Sequence, residues 1–175
     1  MLSLLHIENI AVIESADISF DQGFNVLTGE TGAGKSIVID AISAILGERA
    51  YRDMIRTGTN KASVRAVFTD VPELSWFLDN GVEYDSETII QREVHLDGKN
   101  VCRVNGTLVS VSILRKLGIQ LINIHGQHDS ASISIWPSVT RKIPIISCRN
   151  TIPVIICTPA PPATVAWPMR SLWKF

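Results

Sequence analysis

Short apolar runs separated by polar turns fill the first part of the chain, and their periods predict a mixed α/β order. Residues 2–10 read as a strand that enters a turn. Residues 12–20 alternate in part, with Ile18 and Phe20 on one face and Asp17 and Ser19 on the other. That predicts a second strand, antiparallel to the first. A turn at Asp21-Gln22-Gly23 leads to a third strand at 24–27. The period then changes to that of a helix over 36–46. Ile37, Ala41, Ala44 and Ile45 share one of its faces, and Val38, Ile39 and Ile42 cover another. A helix apolar nearly all round is expected to lie buried between a sheet and a second layer. Gly47 is placed to cap it.

Further along, 48–60 is polar and irregular, and 62–69 alternates as a strand. Residues 72–80 suit a short helix, with Pro72 near its first turn and Gly81 at its end. A hairpin follows: a strand over 87–96, a turn at Asp97-Gly98 and a return strand over 100–104. Asn105-Gly106 makes a second hairpin turn into Thr107–Val109. Ser110 is a candidate N-cap for a helix through Leu117 that Gly118 closes. Residues 119–124 read as a buried strand running straight into His125-Gly126-Gln127-His128-Asp129. The whole predicts an antiparallel-rich sheet around the third strand and one central helix, unlike a regular βαβ alternation.

Between the third strand and the central helix stands Gly29-Glu30-Thr31-Gly32-Ala33-Gly34-Lys35-Ser36. It fits G-x-x-x-x-G-K-[ST], the phosphate-binding P-loop. Glycines let the backbone approach an anion without a Cβ in the way. The loop's N–H groups and the positive end of the following helix then face the phosphates. Lys35 would reach the β- and γ-phosphates, and the Ser36 hydroxyl would hold Mg²⁺. The strand, loop, helix order around the motif is the one it requires. A second chemical cluster follows the strand at 119–124, at a carboxyl end where α/β ligand sites gather. Two histidines and an aspartate on one short loop make a poor transition-metal cage. The neutral amide of Gln127 can hold a hydrated Mg²⁺ or the attacking water without adding charge.

Composition changes this picture in one place. The chain has 175 residues, a net charge of −1 and 46% hydrophobic residues, so it is expected to be globular rather than a basic nucleic-acid sleeve. Its three cysteines form no C-x-x-C pair, which suits a reducing, cytoplasmic compartment. The first residues lack a cationic segment and cleavage site, so no secretory leader is expected. The averages conceal a break: all 17 acidic residues lie at or before Asp129 and all 11 glycines at or before Gly126. Seven of the eight prolines follow, and the prolines between Thr151 and Met169 argue against a membrane span. Residues 1–130 and 131–175 are therefore expected to be different kinds of sequence.

Taken together, Leu4–Asn9, the 29–37 loop, Asp40-Ala41-Ile42, Leu46-Gly47 and Ile-His-Gly-Gln-His-Asp at 124–129 resemble the bacterial RecN family. These are DNA repair proteins in the SMC-like branch of ABC-type ATPases. The resemblance covers residues 1 to about 130 and implies the N-terminal half of an α/β P-loop NTPase head. It implies that Gly29–Ser36 is the Walker A motif, that Gln127 is the Q-loop glutamine, and that ATP and Mg²⁺ are bound, the metal by Ser36 and Gln127. It also implies a bacterial, nucleoid-associated role in recombinational repair of DNA double-strand breaks. In that family a coiled coil and a second half-head follow, with the signature motif and Walker B acids, and two heads sandwich two ATPs. Here no apolar run ending in Asp-Glu follows Gln127. The resemblance stops at Ser130-Ala131-Ser132, and the tail looks like out-of-frame translation. Such a chain is expected to bind nucleotide weakly and to hydrolyse it negligibly alone.

Two other readings stay open. A stand-alone P-loop phosphotransferase would need an acid near Ser36, for which Asp70 is the candidate. A non-catalytic DNA-binding fragment would rely on Arg49, Arg52, Arg56 and Lys61, which could equally be a solvated loop.

Overall fold

Alternation in the first strand is what builds the core: Leu5 and Ile7 are fully buried, while His6 and Glu8 point away. The computed structural model describes residues 1–27 and 34–126, and strands at 144–147 and 154–158. In chain order the elements are β1 (Leu2–Ile10), β2 (Ile13–Ser19), β3 (Gly23–Leu27), α1 (Lys35–Ile45) and a 3₁₀ turn at Arg52–Met54. Then come β4 (Lys61–Phe68), α2 (Ser75–Asp79), β5 (Thr88–His95), β6 (Asn100–Val104), β7 (Thr107–Val109) and α3 (Val111–Leu121). The last strands are β8 (Asn123–Gly126), β9 (Pro144–Ser147) and β10 (Val154–Thr158).

Two sheets result. The larger is wholly antiparallel, in the order β2-β1-β4-β5-β6-β7. The smaller runs β3-β10-β9-β8. The strand before the P-loop motif thus lies beside the antiparallel sheet rather than within it. The inner face of the large sheet carries Leu5, Ile7, Val64, Ala66, Phe68, Ile90 and Val104. Helix α1 packs on β1, β4 and β5 through Val38, Ala41, Ile42 and Ile45, and α3 packs beside β6 through Leu114 and Leu117. Each fully buried Ile or Leu contributes roughly 1.5–3 kcal/mol. The opposite face is polar, and its charges pair across strands: His6 with Asp17 at 2.6 Å, Lys61 with Glu93 at 3.2 Å.

Turn chemistry follows expectation at most boundaries. Asn105 and Gly106 have φ of 47° and 82°, both in the left-handed region that a two-residue hairpin turn demands. The Ser110 hydroxyl accepts from Ile113 N–H and caps α3. At the end of α1, Gly47 (φ 85°) forms a Schellman motif: its N–H bonds Ala44 O and the Glu48 N–H bonds Ser43 O.

Three boundaries differ from expectation. Helix α2 begins at Ser75, so Pro72 lies in the loop ahead of it. Gly118 does not close α3, which continues to Leu121. The expected strand over 119–124 is accordingly shortened to β8, and Ile119 is exposed on the helix. The reason is a close approach. A Cβ on Gly118 would stand 2.2 Å from the Leu46 carbonyl, and one on Gly47 would stand 2.5 Å from the Arg115 backbone nitrogen. The glycine is in α3 to let the end of α1 press against it.

Gly118→Ala tests this contact. Helix propensity alone favours alanine by up to about 1 kcal/mol, whereas overpacking costs typically 1–3 kcal/mol. With backbone as the obstacle the clash wins, so a net loss of about 1–2 kcal/mol is expected in urea unfolding. A variant as stable as the parent would contradict the packing.

Glu93 provides a pH test. Burial pushes its carboxyl up, but the hydrogen bond from Lys61 and the charges of Lys61, His95 and Arg103 outweigh that and hold its pKa below the ordinary glutamate value. A depressed carboxylate stabilises the fold above its unfolded pKa, and that contribution is lost as pH falls through the folded value. Glu93→Gln should therefore be less stable than the parent at neutral pH. The gap should close as pH drops below about 4; a gap unchanged at lower pH would contradict the pairing.

Candidate functional site

The site is built on α1. Gly34 stands at its N-cap with φ 89°, a left-handed conformation in which a Cβ is strained. Among the described residues no atom lies within 4 Å of where that Cβ would be. The helical ladder begins with Val38 N–H to Gly34 O at 3.2 Å, and the helix's leading N–H groups precede that bond. The first turn contains no acidic residue, and among the described residues no side chain caps it. Lys35 opens the helix, and Ser36 follows it at an exposed position. A positive helix end that carries a lysine on its first turn suits an anion. Gly29, Glu30, Thr31, Gly32 and Ala33 lie outside the described residues.

The second loop begins at Gly126, the last residue of β8; Gln127, His128 and Asp129 lie outside the described residues. Strand directions relate the two loops. β10 is antiparallel to both β3 and β9, and β9 is parallel to β8. β3 and β8, the two outer strands of the small sheet, therefore run the same way, and the chain leaves both Leu27 and Gly126 at the same end of the strands. Among the described residues no group of three His, Cys, Asp or Glu side chains could hold a metal ion.

The other candidates fall elsewhere. Asp70 lies in the turn after β4 with φ 54°, where its charge acts on the Met1 ammonium. The cations of 49–61 are engaged locally. Arg49 lies over the Tyr51 ring, 4.9 Å from its centroid. Arg52 donates to Asp97 O at 3.4 Å, and Arg56 donates to Val12 O at 2.8 Å with Glu14 3.8 Å away. Lys61 pairs with Glu93. This segment docks on the β1–β2 hairpin, where Ala11 N–H bonds Met54 O and Arg56 N–H bonds Asn9 O.

Sequence reasoning missed Arg92. It occupies an inward position of β5 between Ile90 and Val94 and is 2% exposed. Its Nη1 donates to Ala44 O at 2.7 Å and Glu48 O at 2.6 Å; Nε and Nη2 donate to Asn100 Oδ1 at 3.3 and 3.1 Å. Burial lowers its pKa from the ordinary value, with Cys102 and Glu48 acting the other way; a guanidinium so placed still stays charged at neutral pH. The signal was present in the alternation, as a charge at a position whose neighbours two residues away are both core.

A glycine-capped helix opening on Lys35-Ser36, against an antiparallel sheet, gives the α/β fold class of P-loop ATPase heads of the SMC type. The chain belongs to the AAA domain family, which matches residues 4–150. Its N-terminal region is similar to the DNA repair protein RecN of Bacillus subtilis, 46% identical over 134 residues, which is 74% of this chain and 23% of that protein. The chain thus spans about a quarter of the length of the curated relatives it matches. Among solved structures it is similar to the SMC head domain from Thermotoga maritima, with 27% identity and a TM-score of 0.53 over 72% of this chain and 47% of that one. It also shares the fold of the Smc head domain from Pyrococcus furiosus, with 24% identity and a TM-score of 0.62 over 73% of this chain and 36% of that one. Among the described residues no helix is long and apolar enough to cross a membrane.

The engaged cations lead to a prediction. Neutralising Arg52 and Arg56 together is expected to leave any salt-dependent DNA affinity of the chain within about twofold, because both guanidinia are already held on the protein, Arg52 on Asp97 O and Arg56 on Val12 O beside Glu14. A larger loss in a fluorescence-anisotropy titration would restore the DNA-binding reading of this segment.

Proposed function

We propose that the chain is the ATP-binding N-terminal half-head of a RecN-like protein of recombinational DNA double-strand break repair. The observation that carries this reading is the amino end of α1, with Gly34 left-handed at the cap and Lys35 and Ser36 on the first turn. In this reading Gly29, Glu30, Thr31, Gly32, Ala33 and Gly34 wrap the phosphates with backbone N–H groups. Lys35 neutralises the β- and γ-phosphates, and Ser36 holds Mg²⁺ with Gln127 nearby. The shared direction of β3 and β8 supports that approach, since both loops leave the same end of the strands. Mg²⁺, when bound, supplies charge neutralisation at the phosphate oxygens.

The chain has no acid after Asp129, so a Walker B carboxylate to position water would have to come from elsewhere. Residues 1–130 form the ATP-binding half, and 131–175 are a separate tail of out-of-frame origin. The partners are then a C-terminal half-head, a second head, and DNA, in the bacterial cytoplasm at the nucleoid. A Thermotoga SMC head and a RecF–ATP structure of the recombination mediator class, both of similar fold, support the direction of this reading.

The test is nucleotide binding and turnover by the 175-residue chain. Weak MgATP binding is expected, reduced at least about tenfold by Lys35→Ala, with turnover indistinguishable from background. A separately supplied C-terminal half should raise turnover. Robust hydrolysis by the chain alone, abolished by Lys35→Ala, would instead favour a self-contained phosphotransferase.

A further inference from the structure

We propose that Arg92 is a positioning residue for the phosphate-binding loop. By fixing the carboxyl end of α1 to the antiparallel sheet, it sets where the amino end, with Lys35 and Ser36, meets the nucleotide. The inference rests on the reading of the site given above.

The geometry of α1 makes the two ends interdependent. Its 11 residues form a rod of roughly 16 Å, entered from β3 through the loop and closed by the Schellman turn at Gly47. Arg92 grips that closing turn from β5. One nitrogen bonds both Ala44 O and Glu48 O, while the rest of the fork is held by Asn100 Oδ1 on β6. All of these acceptors are neutral. The helix's own negative end is thus a principal partner of the buried cation. An apolar side chain between Ile90 and Val94 would serve burial alone at least as well, since exchanging a buried charge for a well-packed hydrophobe is often neutral or stabilising. What the guanidinium adds is direction: a planar fork with fixed donor angles, which a hydrophobe lacks.

The same turn is held from its other side. Gly118 lets α3 lie against Leu46, and Arg115 pairs with Glu48 at 3.3 Å. Helix α3 runs on through Ile122 into β8, the strand that delivers the second loop. The turn that Arg92 fixes is therefore the point where the elements leading to both loops touch. A displacement of about 1 Å at a binding loop can cost a hundredfold in function, so a loosened anchor is read out at the far end of the rod.

Four variants of the 175-residue chain separate positioning from general stability. Arg92→Met removes the fork. Asn100→Ala removes the partner that orients it, at an exposed position where the fold is retained. Val94→Ala makes a cavity on the same face of β5 and leaves the Arg92 fork and its acceptors in place. MgATP affinity should fall at least about tenfold in Arg92→Met and about three- to fivefold in Asn100→Ala, and change less than about twofold in Val94→Ala, even where Val94→Ala lowers Tm more. Arg92→Lys should not restore affinity, because one ammonium cannot span these acceptors. Amide exchange in residues 38–48 should accelerate in Arg92→Met while β1 and β4 stay protected. Affinity that follows Tm across the set, or exchange that rises evenly through the sheet, would overturn the proposal. A parent chain that binds no MgATP would instead sink the reading of the site beneath it.

Discussion

Burial of α1 on the antiparallel sheet is the constraint on which the rest depends. Val38, Ala41, Ile42 and Ile45 hold it on β1, β4 and β5, while Ser36 and Asp40 are exposed. Burial alone fixes depth and leaves tilt and axial position open. Those are set at the ends, where the backbone has unpaired groups. At the carboxyl end a glycine turn and a buried arginine take up the carbonyls. In the proposed reading the amino end faces an anion. The helix is thus satisfied internally at its carboxyl pole and, in that reading, by a ligand at the other.

The two sheets divide the work. The antiparallel sheet carries the core and the α1 anchor, and it is formed entirely by residues before 110. The small sheet carries the strands that lead into both chemical loops, yet β3 and β8 are not neighbours within it. They are joined through β9 and β10, from the part of the chain with no glycine or acid. The better-anchored half of the protein is the half without the loops. In the proposed reading, completion of the site falls to a partner segment.

Much of this was legible in the sequence. The alternation of β1, β4 and β5, the Asn105-Gly106 turn and the Ser110 cap all follow from local chemistry, and local chemistry decides them. The P-loop motif stands out in the sequence because, in the proposed reading, its residue types are set by a ligand rather than by tertiary packing. Gly118 was misread for the opposite reason. A glycine after a helical run looks like a cap, and only the carbonyl of Leu46 against it explains a glycine inside α3. Arg92 was overlooked because a charge within a strand pattern suggests the solvated face. Two of its acceptors, the carbonyls of Ala44 on α1 and Glu48 just past it, are 48 and 44 residues away in the chain, where no local pattern can reveal them.

Backbone chemical shifts followed through a MgATP titration test the central claim most directly. Convergence of both loops on one ligand predicts concerted shifts at Gly34, Lys35, Ser36 and Gln127 with a single apparent affinity, and little change on the outer face of β2 and β4. Shifts confined to one of the two loops, or centred on the Arg49–Lys61 segment, would contradict it.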